Sequence, residues 1–354
     1  MIAIGGSRTR AKNVILLIGD GMGFAQRDAA RLLAGRPLNM DRLPVHGRIA
    51  TSCVDPAGNV TDSAAAATAI ATGVKTYNGA IGVGPDGKPV RTVLELAKEA
   101  GKSAGLVTTC NVTDATPAAF AAHVASRVDQ REIARQFIED AAVDVILGGG
   151  RTWWVPNGES STDLTSRARD LGYSVATEPT ELRPERDPRL LALLAEAELF
   201  DQDPPEAARY EPPVTLEELT RTAIMTLSRN RGGFFLMVEE AAIDRMGHRN
   251  IAPLAVRGVH ELDRAVRVAC SFAEEDGETL VIVTADHECG GLALDSYPDG
   301  PFEGDIEALL RWATTGHTDA DVPVTAMGPH ADRLAGQHEN TDLFHTMVEA
   351  MGLA

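Results

Sequence analysis

The segment NVILLIGDGMG, residues 13–23, indicates the fold class most clearly, because its run of apolar residues ends abruptly in Asp20-Gly21. An unbroken apolar run of this length is typical of a strand that is buried on both faces of a parallel sheet. Two later runs, DVILGG at 144–149 and TLVIVT at 279–284, have the same character. The sequence therefore predicts a largely parallel sheet with strands from several parts of the chain.

Helical patterns separate the apolar runs along most of the chain. This alternation predicts an α/β fold, a three-layer sandwich with a central, largely parallel β-sheet flanked by helices, built as a single domain over residues 1–354. The proline-rich stretch 183–213 is predicted to be an irregular excursion around one short helix. The predicted strands are Asn13–Gly19, Gly47–Ser52, Ala104–Thr109, Val143–Leu147, Phe234–Val238, Thr279–Thr284 and Val322–Met327, and the predicted helices include Thr92–Ala100, Glu132–Asp140, Leu216–Ser228 and Ile251–Ala273.

The composition narrows the class of protein. The 354 residues carry 51 Asp+Glu against 33 Lys+Arg, a formal net charge of −18, which argues against a nucleic acid or an anionic membrane surface as partner. No apolar run approaches the roughly 18 to 20 residues of a membrane span, and we expect no export leader at the start of the chain. The four cysteines have no C-x-x-C spacing, which favours buried free thiols over a cysteine-rich zinc site or a disulfide framework.

Ionisable residues follow the predicted strands at the point where each one ends. Asp20 follows the first strand, Glu239 follows FFLMV, and Asp286-His287 follow TLVIVT. Because ligands bind beyond the carboxyl ends of the strands in open α/β sheets, these positions are candidates for a binding site. Further candidates, in segments that follow a strand or precede the last one, are Asp114, Thr116, Asp244, His248 and His317.

Each candidate also has a purely structural interpretation. Asp-Gly after a strand can be an ordinary turn, and Asp244 with His248 can be a solvated pair on one helix face instead of two ligands of one metal. Chance rarely places a carboxylate or an imidazole at nearly every strand end, so the whole set favours a metal centre. Asp, His and Glu ligands together suit Zn²⁺, and the more oxygen-rich subset suits Mg²⁺.

The candidate nucleophile lies in TDSAAAATAIATG, residues 61–73. Alanine favours a helix here, Asp62 or Ser63 can cap its start, and Gly73 can end it. A hydroxyl at a helix N-terminus lies where backbone N–H groups favour an anion, although most serines at such positions are only caps. No Gly-x-Ser-x-Gly motif surrounds Ser63, so a metal would have to activate its hydroxyl.

Taken together, these motifs resemble the alkaline phosphatase family. The matching stretches occur in the family's order and cover most of the chain. They are NVILLIGDGMG (13–23), TDSAAAATAIATGVKTYNGAIGV (61–83), TDATPAAFAAHVASR (113–127), FFLMVEEAAIDRMGH (234–248), TLVIVTADHECGGL (279–292) and GHT (316–318).

The resemblance implies a broad-specificity phosphomonoesterase that scavenges phosphate through a phosphoserine intermediate on Ser63. It implies two Zn²⁺ ions and one Mg²⁺ ion. Arg127 would bind two phosphate oxygens, Asp62 would orient that arginine, and Arg245 occupies a position that can contact phosphate. By motif, the first zinc would be held by Asp244, His248 and His317, the second by Asp20, Asp286, His287 and the Ser63 oxygen, and the magnesium by Asp20, Asp114, Thr116 and Glu239.

The resemblance also sets expectations for partners and location. Small phosphate monoesters and inorganic phosphate would be the ligands, a homodimer would be the assembly, and the periplasm or the extracellular space would be the location. The short interval between His287 and His317 predicts a reduced form of the crown insertion that larger relatives carry there.

Two other functional classes remain open at this point. A phosphodiesterase or a sulfatase of the same superfamily would share the metal core, although diesterases commonly carry Thr in place of Ser63 and sulfatases need a modified residue. The set of Asp114, Thr116 and Glu239, together with Arg127, favours a monoester. The other class is a metal-dependent phosphate-binding protein without turnover, against which the complete set of candidate residues argues.

Overall fold

The computed structural model describes residues 10–56, 58, 60–156, 162–183, 188–296, 304 and 306–353. The strands within these residues are β1 (Asn13–Gly19), β2 (Val45–Ala50), β3 (Ser103–Asn111), β4 (Val145–Gly149), β5 (Ser174–Ala176), β6 (Leu190–Leu193), β7 (Phe234–Glu240), β8 (Thr279–Thr284), β9 (Glu288–Cys289), β10 (Ala293–Leu294), β11 (Leu310–Arg311), β12 (His317–Thr318), β13 (Val322–Met327) and β14 (Gly336–Glu339). The α-helices are α1 (Phe24–Ala34), α2 (Ser63–Thr72), α3 (Val93–Glu99), α4 (Ala115–Ala121), α5 (Gln130–Glu139), α6 (Leu164–Asp170), α7 (Leu216–Leu227), α8 (Ala242–Gly247), α9 (Ala252–Asp276) and α10 (Thr341–Met351).

A ten-stranded sheet runs through the centre of the molecule in the order β14-β2-β13-β8-β1-β7-β3-β4-β6-β5. Strand β13 is antiparallel to β8 and β2, and the other neighbouring strands in this sheet are parallel. The prediction of a largely parallel central sheet is confirmed. Since strands from both ends of the chain share this sheet, it agrees with a single domain, which stays a prediction.

The register of the central strands aligns their carboxyl ends. Ile18 of β1 pairs with Glu239 of β7 on one side and with Thr284 of β8 on the other. Glu239 in turn lies opposite Thr108 of β3. The residues that follow β1, β7 and β8 therefore emerge at one edge of the sheet.

Helices cover the sheet in two groups. Helices α1, α7 and α9 pack with one another and against central strands, and α2, α3, α4 and α10 form the second group. The central strands are buried along their whole length, as β1 and β8 show. The helix-sheet-helix sandwich expected from the unbroken apolar runs is therefore confirmed.

Local sequence accounts for the start and end of α2. The Asp62 side chain accepts a hydrogen bond from the Ala65 N–H, which caps the first turn. Gly73 ends the helix with φ 73°, a left-handed conformation that glycine adopts without strain. The predicted boundaries of this helix are confirmed, and Asp62 is its cap.

The prediction for the proline-rich stretch is wrong in one respect. Leu190–Leu193 is not part of an excursion but forms β6, which pairs in parallel with β4 and β5. A run of four buried apolar residues has no periodicity that distinguishes a helix from a strand. Pairing with β4 and β5 therefore determines that this segment is a strand. The one short helix in the described part of the stretch is a 3₁₀ turn at Pro205–Ala207, and residues 184–187 lie outside the described residues.

The described part of the interval between His287 and His317 contains only short elements. It contains β9, β10, β11 and a 3₁₀ turn at Ile306–Leu309, and residues 297–303 and 305 lie outside the described residues. Nowhere in the described parts of the chain does a helix reach the length and apolar character that a membrane crossing requires.

Candidate active site

Two histidines and an aspartate converge at the end of α8. His248 Nε2 and His317 Nε2 each lie 3.3 Å from Asp244 Oδ1, and the two nitrogens are 3.0 Å apart. The Nδ1 of His248 faces the Thr315 carbonyl and that of His317 faces the Thr61 carbonyl. Because a carbonyl only accepts, each Nδ1 carries a proton, and in the neutral imidazole each Nε2 then presents a lone pair. Two lone pairs and a carboxylate facing one point fit a cation.

A second group lies beside Ser63, at the ends of β1 and β8. His287 Nε2 is 3.2 Å from the Ser63 Oγ, 3.2 Å from Asp286 Oδ2 and 3.4 Å from Asp20 Oδ1. All four side chains are almost completely buried. Ligand atoms of Asp20, Asp244 and His287 lie within 4.8 Å of one another, which links this group to the first.

A third group is rich in oxygen. The Thr108 hydroxyl donates to Glu239 Oε2 at 2.5 Å, which fixes the Glu239 carboxylate, while Glu239 Oε1 and the Thr116 Oγ1 are buried without a partner in the described residues. Asp114 also lies here, but its two oxygens contact the guanidinium groups of Arg127 at 3.3 Å and Arg245 at 2.7 Å.

Burial and like charge make this edge of the sheet unstable in its fully ionised state. Burial raises the pKa of Asp20 well above its usual range, and the charges of Asp286 and Asp244 raise it further. Burial likewise raises the pKa of Glu239 to about 7, with Asp114 as the next cause. Burial also tends to raise the pKa of Asp244, but its close contact with His317 and the positive charge that the neighbouring histidines carry when protonated lower it overall.

Unpartnered polar atoms provide a direct test of whether cations fit. Most buried side-chain oxygens and nitrogens in proteins have a hydrogen-bond partner. The atoms of these three groups that have none in the described residues are Asp20 Oδ1, Thr116 Oγ1, Glu239 Oε1, Asp244 Oδ1, Asp286 Oδ2 and His287 Nδ1. Such a concentration of free oxygens among buried carboxylates fits metal binding, because cations would offset both the repulsion and the lost hydrogen bonds.

Arg127, in the segment that follows α4, contacts two carboxylates of the site. Its Nη1 contacts Asp62 Oδ2 at 3.1 Å and its Nη2 contacts Asp114 Oδ1 at 3.3 Å. The same Asp62 caps α2, whose first residue is Ser63, so one carboxylate holds both the start of that helix and the arginine. These contacts lower the cost of ordering the guanidinium group for an anion.

Sequence reasoning missed two residues at this edge and gave no role to a third. Cys289 Sγ lies within 4.8 Å of ligand atoms of Asp244, His248 and His317, and its position two residues after His287 was the available signal. Glu198 forms an ion pair with Arg245 at 3.2 Å and had no local signal. Glu240 is buried, accepts from the Thr109 and Tyr210 hydroxyls and from the Ala242 N–H, and so anchors the start of α8.

The structure brings all the predicted site residues to the edge formed by the ends of β1, β3, β7 and β8. This fold and this arrangement of acids, histidines, a serine and two arginines define a class of metal-dependent α/β hydrolases. The sequence model of the family described as "Alkaline phosphatase" matches residues 11–301 and 303–353. The chain belongs to the alkaline phosphatase family.

Named relatives agree with this assignment. Alkaline phosphatase 4 of Bacillus subtilis is 40% identical, over 95% of this chain and 87% of the relative. The streptomycin-6-phosphate phosphatase of Streptomyces griseus is 38% identical, over 97% of this chain and 91% of the relative. The structure of alkaline phosphatase from the Antarctic bacterium TAB5 has a TM-score of 0.85 and 32% identity, covering 97% and 98% of the two chains. A variant of that enzyme is known with Mg bound in its M3 site.

Proposed function

We propose that this phosphoric monoester hydrolase uses Ser63 as its nucleophile at a centre of two zinc ions and one magnesium ion. The observation that carries this proposal is the buried Ser63 hydroxyl at the start of α2, 3.2 Å from His287 and among carboxylates with unpartnered oxygens. Family membership supports the reaction class, and the geometry of these residues supports the choice of nucleophile.

Three sets of residues would hold the cations. When bound, the cations would lower the pKa of the Ser63 hydroxyl and offset negative charge on the phosphoryl group. Asp114 could bind a cation while both arginines stay in place, because each of its oxygens contacts one guanidinium group and has a second lone pair. The proposed sets are Asp244, His248 and His317 for one zinc, Asp20, Asp286, His287 and the Ser63 oxygen for the other, and Asp20, Thr116, Glu239 and Asp114 for the magnesium.

The residues of the chain then perform an in-line displacement. Arg127 binds two phosphoryl oxygens while Asp62 and Asp114 hold its guanidinium group. The Ser63 hydroxyl loses its proton to solvent and its oxygen attacks phosphorus, the bond to the alcohol breaks, and the alcohol takes a proton from solvent. Water then loses a proton to solvent and attacks the phosphoserine, the bond between phosphorus and Ser63 breaks, the Ser63 oxygen regains a proton, and phosphate leaves. Two displacements retain the configuration at phosphorus. The N-terminus of α2 favours the anionic oxygen throughout.

The proposed substrates are small phosphate monoesters of varied structure. We propose this range because the polar residues of the site are placed to contact the phosphoryl group. The Streptomyces relative is named for one phosphorylated antibiotic, so a narrower range is the alternative that a substrate panel would decide. We further propose action in the periplasm or outside the cell and assembly as a homodimer.

Serine replacement tests the proposal. Ser63→Ala should lose most turnover of p-nitrophenyl phosphate while keeping the metal content of the wild-type protein. Ser166→Ala is the matched control, because Ser166 also lies in the first turn of a helix but is exposed and remote from the site. Full turnover in Ser63→Ala would refute the covalent mechanism.

A further inference from the structure

Glu198 belongs to the segment that follows β6, and this segment lies against helix α8 next to the site. Glu198 Oε1 is 3.2 Å from Arg245 Nε, and Gln202 Nε2 donates to the other Glu198 oxygen at 2.5 Å. The same segment reaches the end of α8 through Asp203, 2.5 Å from Arg249 Nη2. Two arginines around Asp244 and His248 are therefore paired with acids from one segment.

The pair of Glu198 and Arg245 ends a chain of alternating charges. Asp62 contacts Arg127 at 3.1 Å, Arg127 contacts Asp114 at 3.3 Å, and Asp114 contacts Arg245 at 2.7 Å. The chain contains three carboxylates and two guanidinium groups, so it carries one excess negative charge beside the phosphate-binding arginine. Glu198 contributes that excess from outside the proposed catalytic residues.

Arg245 has a hydrogen-bond donor that this arrangement leaves unused. Its Nε–H is buried and has no aligned acceptor in the described residues, because the contact with Glu198 is close in distance without the alignment of a hydrogen bond. A side chain held by two carboxylates with an unused donor is suited to receive an anion. Only about a quarter of the Arg245 side chain is exposed, so its position is well defined.

We propose that Glu198 is a positioning residue that holds Arg245 on Asp114 and weakens phosphate binding, so that the product leaves the site. The proposal rests on the proposed function, since it concerns the phosphate released there. Glu198 acts through Arg245 and does not contact phosphate. Its carboxylate charge opposes the anion, while its contact with Arg245 keeps that side chain near Asp114.

Two substitutions in the metal-loaded enzyme distinguish the effect of the Glu198 charge from the effect of its contact with Arg245. Glu198→Gln keeps the side-chain length and an oxygen for Arg245 but removes the charge. The inhibition constant for phosphate should fall about threefold to tenfold, as expected for loss of one screened charge near an anion. KM should fall in parallel and kcat should not rise. Glu198→Asp keeps the carboxylate charge, so its inhibition constant for phosphate should lie closer to the wild-type value than that of Glu198→Gln.

The control and the double variant make the test specific. Asp203→Asn removes an acid of the same segment that pairs with Arg249 instead of Arg245, and it should leave phosphate binding unchanged. In an Arg245→Gln background, Glu198→Gln should have a clearly smaller effect, since the part of its action that passes through that arginine is lost and only its own charge remains.

Calorimetric titration of the metal-loaded protein with inorganic phosphate provides a readout that does not depend on turnover. Unchanged or weaker phosphate binding in Glu198→Gln would overturn the proposal, and so would an equal shift in the Arg245→Gln background. Loss of monoester turnover in the wild-type protein would refute the proposed function instead, and the titration would still decide the role of Glu198.

Discussion

Replacement of Asp62 should affect both stability and phosphate binding, because one side chain serves two parts of the site. Its Oδ1 accepts from Ala65 N at 2.9 Å, and its Oδ2 accepts from Gly79 N at 3.0 Å and from Arg127 Nη1 at 3.1 Å. Loss of the helix cap costs about 1 kcal/mol of the free energy of unfolding. The unpaired Gly79 N–H adds about 1 kcal/mol, and the partly exposed ion pair about 0.5 kcal/mol.

Asp62→Ala should therefore lower the free energy of unfolding by about 2 to 3 kcal/mol. For a chain of this length that corresponds to roughly 3 °C in the unfolding temperature. Asp62→Asn should cost less, because asparagine also caps helices, but its amide would face the Gly79 N–H and the guanidinium group of Arg127. In both variants Arg127 loses one of its two carboxylate anchors, so the inhibition constant for phosphate should rise several-fold.

The assays are scanning calorimetry and phosphate inhibition of p-nitrophenyl phosphate turnover, at matched metal content. Asp163→Ala is the control, because Asp163 caps α6 through the Thr165 and Ser166 N–H groups. It should lower the unfolding temperature and leave phosphate inhibition unchanged. An Asp62→Ala variant with wild-type stability and wild-type phosphate inhibition would refute the two roles assigned to this carboxylate.

Three further predictions concern other parts of the structure. Arg127→Ala should mainly weaken phosphate binding and keep part of the turnover, as inhibition kinetics would measure. Burial lowers the pKa of His123, but hydrogen bonds with Glu95 and the Gly82 carbonyl raise it overall. Protonated His123 therefore stabilises the folded protein below the unfolded-state pKa, and this stabilisation is lost as pH rises through the raised folded-state pKa. His123→Gln should therefore lower the unfolding temperature more at acidic than at alkaline pH. Gly82→Ala should destabilise the fold far more than Gly87→Ala, although both glycines have positive φ. A Cβ at Gly82 would lie 2.1 Å from the Ala122 carbonyl oxygen, whereas a Cβ at Gly87 would have none of the described atoms within 4 Å. The strain at Gly87 alone costs about 1 kcal/mol.

Each of these predictions has a contradicting result. An unchanged inhibition constant for phosphate in Arg127→Ala would exclude its role as a phosphate ligand. Equal destabilisation of His123→Gln at both pH values would show that its protonation does not contribute. Equal loss of stability in Gly82→Ala and Gly87→Ala would show that backbone conformation, and not the close contact, sets the cost.

Continuous apolar runs made the central strands predictable. The bounds of β1, β8 and β13 match the predicted strands residue for residue, and β2 begins two residues before its prediction. Strand β6 was not predicted, because four apolar residues near prolines carry no period and gain their strand character from pairing with β4 and β5. Tertiary pairing, and not local propensity, decides such short segments.

The candidate residues of the site were predictable for a similar reason. Asp20, Glu239 and Asp286 follow buried strands, so the topology alone brings them to one edge. The ion-pair partners of the charged side chains at this edge were not predictable from the sequence. Nothing near Glu198 in the sequence indicates Arg245, which lies 47 residues further along the chain, and nothing indicates that Asp114 would hold two guanidinium groups. Such contacts depend on how the loops pack over the edge of the sheet.

Metal removal and restoration would show whether this protein is a phosphomonoesterase that depends on zinc and magnesium. Turnover of p-nitrophenyl phosphate would be measured at alkaline pH before and after EDTA treatment, and again after Zn²⁺ and Mg²⁺ are restored singly and together, beside the bis-ester and the sulfate ester. We expect the monoester to be hydrolysed fastest, with turnover lost to EDTA and regained in full only with both metals. Faster hydrolysis of the diester or the sulfate ester, or turnover that survives complete metal removal, would contradict a phosphomonoesterase with a zinc and magnesium centre.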